Sequence, residues 1–306
     1  MEMKKAAQPP PGAIGTLASD INDFIVLSEG KDGSPDGDKA QALTAPKGDH
    51  FVPLAEIRPN VASHLHVSGP SGCGKSTFAN MYAHAFKNCH SGLVYVISAD
   101  AEPDANLDCV DVRVPIDESL ASVKLEDLAG GPGSPPALII FDDVEGLPKD
   151  KAAALRVFEQ AVKERGRKMG LHSISIYHRG AANKSTQASL NEATGFVVFP
   201  KKMSTNTAYM LKTYAGIPDE VVSLIRRGDW GRWLIVVPGQ YLLGERKAAV
   251  IDPAVITAIA KAEKKRMNEQ ATTALAKAVA ESACTKNKGG AAVETAMSKL
   301  SGLGYR

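Results

Sequence analysis

The chain has 306 residues, of which 44% are hydrophobic and 23% are charged, a balance that is ordinary for a globular protein. Its formal net charge of +2 is too small to indicate a nucleic-acid partner by itself. Four scattered cysteines without a C-x-x-C pair argue against a disulfide scaffold and against a zinc site. We expect no secretory signal and no membrane span, because no apolar run follows Lys4 and Lys5 and none is long enough to cross a bilayer.

Residues 1–50 are predicted to form a flexible N-terminal arm of low order. The turn and breaker clusters PPPG, KDGSPDGDK and APKGD recur through this segment, and its acidic side chains outnumber its basic ones. One short apolar segment, INDFIVL at residues 21–27, is a candidate strand or docking segment.

Residues 51–252 are predicted to form one α/β domain. Short apolar runs alternate with helical patterns such as STFANMYAHAF and KAAALRVFEQAVKER. This alternation is typical of a mostly parallel sheet with helices on both faces. The runs are almost continuously apolar, as expected for strands that are buried on two sides. The predicted strands lie at residues 64–67, 92–98, 110–114, 137–141, 173–177, 195–199 and 233–237.

A phosphate-binding loop follows the first of these strands. GPSGCGKST at residues 69–77 matches the pattern G-x-x-x-x-G-K-[ST], with a strand before it and a helix pattern after it. Glycines allow consecutive backbone N–H groups to turn inward around phosphate oxygens, and the helix directs its positive end at them. The pattern predicts that Lys75 reaches the β- and γ-phosphates and that Ser76 ligates Mg²⁺. The predicted contact positions are Gly69, Pro70, Ser71, Gly72, Cys73, Gly74, Lys75, Ser76 and Thr77.

Acidic side chains follow the apolar strand at residues 137–141. In a doubly wound sheet the carboxyl ends of the strands border the ligand crevice. Asp142 is therefore the candidate that holds Mg²⁺ through water, and Asp143 or Glu145 is the candidate that orients the attacking water.

Two other nucleotide-dependent functions fit parts of the same pattern. Asp143 to Gly146 also matches the D-x-x-G of small GTPases, and Asn183-Lys184 matches the start of their N-K-x-D. Thr186 stands where that motif needs its aspartate, which disfavours guanine recognition. A small-molecule kinase is disfavoured because no arginine-rich lid segment is evident.

Residues 253–306 are predicted to form a helical tail rich in alanine and lysine. Ile256, Ala260, Met267, Ala271 and Ala274 share one helical face, and basic side chains outnumber acidic ones. The tail is either a solvated helix that packs on the domain through its alanines or a basic segment for nucleic acid or a partner subunit.

Residues 60–245 resemble the genome-packaging ATPases of nucleocytoplasmic large DNA viruses, the poxvirus-type members of the FtsK–HerA superfamily. Several short motifs carry the resemblance through their shared order. After the loop and the acidic strand end come His178, the Leu190-Asn191-Glu192 triplet, Phe199-Pro200, Leu-Lys-x-Tyr-x-Gly from Leu211 to Gly216, and Arg232-Trp233.

The resemblance implies a RecA-like P-loop NTPase that hydrolyses ATP with Mg²⁺ and moves double-stranded DNA through backbone contacts. It also implies a homo-oligomeric ring, with a capsid or membrane protein at a packaging vertex as a further partner. The expected location is the host cytoplasm at virion assembly sites, with association with the virion as an alternative. In this family pattern His178 is the sensor of the γ-phosphate or the lytic water. Asn191 and Glu192 are candidates for an inter-subunit or helix-capping pair.

One position departs from the family pattern. Many members carry an arginine directly after a threonine in the segment between the histidine and the Leu-Asn-Glu, and here Gln187 follows Thr186. A glutamine cannot neutralise the charge that develops on the γ-phosphate. An arginine finger would have to come from elsewhere, and the candidates are Arg179, Arg226, Arg227 and Arg232.

Overall fold

A computed structural model of the chain contains two compact units, Met1–Val255 and Ile256–Arg306. In the second unit, residues 268–278 are helical. The structure describes residues 1–10, 13–27, 42–55, 62–99, 104–117, 120, 122–129, 134–142, 144–145, 147–180, 184–251, 259, 261, 265 and 268–278.

The elements of the first unit alternate between strands and helices after residue 60. The strands are β1 (Glu2–Lys5), β2 (Ala13–Leu17), β3 (Asp23–Val26), β4 (Ala42–Thr44), β5 (Phe51–Pro53), β6 (His64–Ser68), β7 (Val94–Ser98), β8 (Val112–Pro115), β9 (Ala137–Asp142), β10 (Leu171–Tyr177), β11 (Gly195–Val198), β12 (Leu234–Val237), β13 (Tyr241–Gly244) and β14 (Lys247–Val250). The helices are α1 (Lys75–His90), α2 (Leu125–Ala129), α3 (Lys149–Glu164), α4 (Lys184–Asn191), α5 (Thr205–Thr213) and α6 (Asp219–Arg227). Short 3-10 helices occur at Gly166–Met169 and Pro200–Lys202.

The central part of the large sheet is parallel. Within the described ranges the strand order is β4-β14-β13-β12-β11-β6-β10-β9-β7-β8, and the neighbouring pairs from β11 to β8 are all parallel. Ser68 pairs with both Tyr177 and Val198, and Asp142 pairs with Ser98, so these strands end at one edge. The predicted α/β class with a mostly parallel, RecA-like sheet is confirmed.

Helices cover both faces of this sheet, as the alternation in the sequence predicts. On one face Phe78, Tyr82 and Phe86 of α1 pack in a cluster that includes Leu138 and Ile140 of β9. On the other face Phe158 and Val162 of α3 pack in a cluster with the alternate β9 residues Ile139 and Phe141. Because side chains alternate across a strand, the apolar run of β9 supplies both layers of the core.

The large sheet continues beyond β11 as an antiparallel extension. β12 pairs antiparallel with β11, and β12, β13, β14 and β4 follow one another in antiparallel pairs. The sequence predicts β12 alone among these strands. Gly239 has a φ of +69° in the turn between β12 and β13, a conformation that glycine adopts without strain.

The prediction of a low-order N-terminal arm is wrong for the part of residues 1–50 that the structure describes. β1, β3, β2 and β5 form an antiparallel sheet in that order, and Ile14, Ile25 and Phe51 belong to the main core cluster. The breaker residues lie in connections between short strands, of which β2 and β3 are neighbours in the sequence while β5 joins β2 from further along the chain. Residues 1–50 therefore belong to the first compact unit, while the KDGSPDGDK cluster lies outside the described residues.

A buried polar cluster lies between α3, β10 and α4. It is centred on the ion pair between Lys163 Nζ and Glu159 Oε1, which are 2.7 Å apart with side chains 1% and 6% exposed. The carboxylate of Glu159 also accepts hydrogen bonds from the hydroxyls of Ser175, Tyr177 and Ser189. Burial raises the pKa of Glu159, but the charge of Lys163 and these hydrogen bonds outweigh it and lower the pKa to about 2.

Two buried histidines, His64 and His66, lie near this cluster, and a third, His172, packs against Phe86 and His90 of α1. Burial and the nearby charge of Lys163 lower the pKa of His64 and of His66 to about 3. Burial, followed by the neighbouring His90, lowers the pKa of His172 to about 4. The ring of His66 stacks on Tyr177, with ring centroids 4.7 Å apart. These imidazoles are neutral in the folded chain and would take up protons once unfolding exposes them to water.

We predict that the free energy of unfolding falls steeply as the pH drops below about 6.5, the pKa of an exposed histidine. The folded pKa values are lowered, so the unfolded chain binds more protons and stability is lost as the pH falls. Each histidine contributes roughly 1.4 kcal/mol per pH unit. Urea unfolding from pH 7 to pH 4.5 measures this slope.

The substitution His66→Phe keeps an aromatic ring against Tyr177 and removes one titrating group. For this variant the slope of the free energy of unfolding against pH should be smaller than that of the unsubstituted chain by roughly 1.4 kcal/mol per pH unit. The exposed His50 supplies the control, since His50→Phe removes a ring that water solvates in the folded chain as well. Equal slopes for all three proteins would contradict the prediction.

Candidate functional site

The phosphate-binding loop connects the end of β6 to the start of α1. Gly72 and Gly74 have φ values of +67° and +103°, in the left-handed region where a side chain is strained. The first turn of α1 contains no acidic residue, so no carboxylate of the helix itself offsets the positive charge of its N-terminal end. This local geometry is that of an anion-binding site.

Lys75 lies folded against this loop and is 8% exposed. Its ammonium donates hydrogen bonds to the carbonyl oxygens of Gly69 at 3.0 Å and of Pro70 at 3.2 Å. Nζ also lies 3.2 Å from Nδ1 of His178. The partners that the structure describes for this cation are therefore two carbonyls and an imidazole, which can be exchanged for phosphate oxygens.

Glu145 extends this contact chain on the other side of His178. The backbone N–H of His178, directly after β10, donates to Oε2 of Glu145 at 2.6 Å. Glu145 follows β9, the strand next to β10. Three residues that sequence reasoning selected separately, Lys75, His178 and Glu145, thus form one continuous set of contacts at the carboxyl edge of the sheet.

Of the two aspartates at the end of β9, the structure describes Asp142. Asp142 is the last residue of β9, is half-buried, and pairs in register with Ser98 at the same sheet edge. Asp143 lies outside the described residues. At the loop, Gly69 is buried, Cys73, Gly74 and Ser76 are half-buried, and Pro70, Ser71, Gly72 and Thr77 are exposed.

Asp104 is a site residue that sequence reasoning missed. Its carboxylate lies near the side chain of Ser76, the predicted Mg²⁺ ligand, and that side chain helps to lower its pKa. Burial works to raise the pKa of Asp104, but the hydrogen bonds from Asn106 and the side chain of Ser76 outweigh it and lower the pKa. Asp104 lies in the loop after β7, where no motif marks it.

Residues that directly follow β11 contact the phosphate-binding loop. The ring of Phe199 lies so close to the loop that a Cβ on Gly69 would be 2.8 Å from it and 2.6 Å from Sγ of Cys73. Lys202 Nζ donates to the carbonyl of Gly72 at 3.2 Å, at the tip of the loop. The sequence analysis used Phe199-Pro200 only as a motif of the resemblance and assigned it no role. It did not identify Lys202 as a residue of the site. A usable signal was the lysine pair directly after a strand that ends at the same edge.

The candidate arginine fingers differ in their intramolecular contacts. Arg232 forms an ion pair with Glu245, and Arg226 donates to the carbonyl of Ser204. Arg179, which follows His178, and Arg227 are exposed. Leu190 is buried, whereas Gln187, Asn191 and Glu192 are exposed.

The fold and the site together define an α/β protein with a phosphate-binding loop. The chain belongs to the family of the uncharacterized protein V3 of Sputnik virophage, with which it shares 30% identity over 204 residues. The matched segment covers 64% of this chain and 78% of the relative. No protein-family model matches the chain.

Solved structures with a similar arrangement are more distant. The genome packaging NTPase B204 of Sulfolobus turreted icosahedral virus 2, in complex with AMPPCP, is 13% identical, with 57% of this chain and 92% of that chain covered and a TM-score of 0.40. The type VII secretion ATPase EccC of Thermomonospora curvata is 14% identical, with coverages of 80% and 30% and a TM-score of 0.48. At such identities and TM-scores the likeness does not extend to function. In the described ranges, no helix combines the length and the apolar character needed to cross a lipid bilayer.

We predict that Gly69→Ala destabilises the fold by about 1–3 kcal/mol, because the added methyl group collides with Cys73 and Phe199. Urea unfolding at pH 7 measures the change. The double variant with Phe199→Leu should recover part of the loss if the ring is the obstacle. A Gly69→Ala variant as stable as the unsubstituted chain would show that the loop does not rest on β11.

Proposed function

We propose that the chain is an ATP-hydrolysing motor that moves double-stranded DNA, with packaging of a viral genome as its task. The observation that carries the proposal is the buried ammonium of Lys75, held by loop carbonyls and by His178 at the head of α1. A cation in this position, with backbone N–H groups around it, is suited to the phosphates of a nucleoside triphosphate.

The loop and the start of α1 bind the triphosphate of ATP as substrate. Lys75 exchanges the carbonyls of Gly69 and Pro70 for oxygens of the β- and γ-phosphates. Phe199 and Lys202 fix the loop from the side of β11. Lys202 adds a second positive charge next to the loop tip, close to where phosphate charge would accumulate.

The residues near the loop fit a magnesium ion. The hydroxyl of Ser76 lies near the carboxylate of Asp104, and Asp142 ends β9 at the same sheet edge as β6. Hydroxyl and carboxylate oxygens are the donors that Mg²⁺ prefers. Ser76 and Asp142 would hold the ion, Asp142 through water, with Asp104 as a further acceptor. When bound, Mg²⁺ neutralises charge on the phosphoryl group that is transferred.

Hydrolysis then requires a water molecule placed in line with the γ-phosphate. Asp143 or Glu145 orients this water and accepts its proton. Glu145 has the more direct geometric support, because it holds the backbone of His178, whose ring faces Lys75. Loss of the γ-phosphate changes the partners of Lys75. His178 senses this change because its ring contacts the ammonium of Lys75.

Movement of DNA calls for contacts to phosphates and not to base edges, because a packaging motor must tolerate every sequence. Residues 201–250 are net basic, and several of their cations are ion-paired within the chain, Lys212 with Asp219, Arg232 with Glu245 and Arg246 with Asp229. Lys201 and Arg227 are exposed and are the first candidates for DNA phosphates.

The proposed assembly is a homo-oligomeric ring in the host cytoplasm at virion assembly sites. Because Gln187 cannot stabilise negative charge, an arginine supplied by a neighbouring subunit completes the site. A capsid or membrane protein at the packaging vertex is the further partner of the ring.

The Lys75→Ala variant should lose ATP hydrolysis by at least about 100-fold in kcat, since the cation that meets the transferred phosphoryl group is gone. The assay measures phosphate release with and without long duplex DNA. Lys87→Ala is the matched control, a lysine removed from the last turn of the same helix, where it pairs with Asp111.

The outcomes of this assay distinguish a DNA motor from an NTPase that moves no DNA, and they also test the assignment of the site. Hydrolysis by the chain that duplex DNA stimulates, and that Lys75→Ala abolishes, supports the motor. Hydrolysis that DNA does not change, or a preference for GTP, leaves a P-loop NTPase that moves no DNA. Equal rates for Lys75→Ala and Lys87→Ala would overturn the assignment of the site.

The variants Glu145→Gln and Asp143→Asn identify the residue that activates water. The variant that removes the base should keep its affinity for ATP and lose about 100- to 10,000-fold in kcat, because the amide cannot accept the proton. Binding of a fluorescent ATP analogue and single-turnover hydrolysis measure the two quantities. If both variants hydrolyse ATP at the normal rate, neither carboxylate has this role.

A further inference from the structure

A cluster of potential metal ligands lies beside the second half of α1, away from the phosphate-binding loop. It is formed by His84 of α1 and by Asp108 and Cys109 of the loop between β7 and β8. One ligand atom from each side chain lies within 4.8 Å of the other two. His84 Nε2 and Asp108 Oδ1 are already 3.0 Å apart.

We propose that His84, Asp108 and Cys109 bind a zinc-class transition-metal ion. Imidazole nitrogen, thiolate sulfur and carboxylate oxygen are the three donor types that Zn²⁺ takes in proteins. Ligand atoms around a tetrahedral zinc lie roughly 3.5 Å apart, given bonds of about 2.0–2.3 Å. The three atoms therefore need to move by only about 1 Å to share one ion, and water would occupy the fourth position.

The surroundings of the cluster favour an ion that arrives from solvent and is then held firmly. The side chains of His84 and Asp108 are 55% and 68% exposed, so the site is open to water. Cys109 is buried at the inner side of the cluster. A metal ion would displace the thiol proton and bind the sulfur as the thiolate.

Asn80 contacts two of the three ligands. It lies one helical turn before His84, on the same face of α1. Its Nδ2 donates to Asp108 Oδ1 at 2.9 Å, and its Oδ1 accepts from Cys109 Sγ at 3.0 Å. The bond from Nδ2 to the Asp108 carboxylate can persist in the metal-bound state and orient that ligand, whereas the bond from the thiol is lost together with its proton.

The position of the cluster connects it to the nucleotide site through a single loop. The segment from residue 104 to residue 111 lies along α1 at three levels. Asp104 lies near Ser76, Asp108 is hydrogen-bonded to Asn80 and His84, and Asp111 is hydrogen-bonded to Lys87. A metal ion at the middle level would bind this loop to α1. Asp104, which lies near Ser76, would be held in place with it.

The spacing in the sequence does not reveal this site, because its ligands come from two segments more than twenty residues apart. Argued from spacing alone, a zinc site is disfavoured. The fold brings the segments together because Leu107 and Cys109 of the loop after β7 are buried in the same core cluster as the apolar face of α1. The proposal is independent of ATP hydrolysis, and its test reads metal binding.

The test uses the full-length protein without a polyhistidine tag. Isothermal titration with Zn²⁺, repeated in excess Mg²⁺, should give one ion per chain at micromolar free metal. Co²⁺ should give a near-ultraviolet charge-transfer band that reports a thiolate ligand. His84→Ala, Asp108→Asn and Cys109→Ser should each weaken Zn²⁺ binding at least tenfold, and Cys109→Ser should abolish the Co²⁺ band.

Cys89→Ser is the matched control, because Cys89 is an exposed cysteine on the same helix outside the cluster. It should bind Zn²⁺ like the unsubstituted chain. Thermal unfolding without metal checks that every variant is folded, and Cys109→Ser keeps a group that can donate to Asn80. Absence of Zn²⁺ binding, or a loss in Cys89→Ser as large as that in Cys109→Ser, would overturn the proposal.

Discussion

The ammonium of Lys75 is largely removed from water, and the carbonyl dipoles of Gly69 and Pro70 take the place of that water around it. The same ammonium lies at the positive end of α1, where the first turn has no acidic side chain. The positive charge of the ammonium and the positive end of the helix therefore lie at one point. An arrangement of this kind is stabilised most by a polyanion, and the loop glycines are what allow the backbone to approach one.

The order of the strands determines which side chains can meet that charge. β10 lies between β6, which leads into the loop, and β9, which carries the acidic end. The residue after β10 is therefore flanked by the loop lysine on one side and by the acidic segment on the other. His178 occupies this position, with its ring toward Lys75 and its backbone N–H on Glu145. A histidine one strand further along would contact only one of them.

Much of the central fold could be predicted because its strands are long apolar runs that are buried on both faces. β6, β9 and β10 fall within a few residues of the predicted segments, and the loop motif places Lys75 and Ser76 at a helix start. Of the N-terminal sheet the sequence indicates only β3, which lies within the candidate segment 21–27, because the other strands are short and their pairing depends on the tertiary fold. The contact of Asp104 has no local sequence pattern, and the lysine pair that contains Lys202 shows its role only once the fold brings the end of β11 to the loop.

The buried polar cluster explains how the His178 position can be held firmly. Placing Glu159 and Lys163 inside the protein carries a desolvation penalty that their mutual attraction offsets only if the remaining hydrogen-bonding capacity is used. Here the carboxylate accepts from Ser175, Tyr177 and Ser189, so the penalty is met by bonds that join α3 to β10 and α4. Tyr177, also stacked on His66, is the residue directly before His178. The polar cluster thus fixes the end of β10 at the point where the strand presents its imidazole to the phosphate-binding loop.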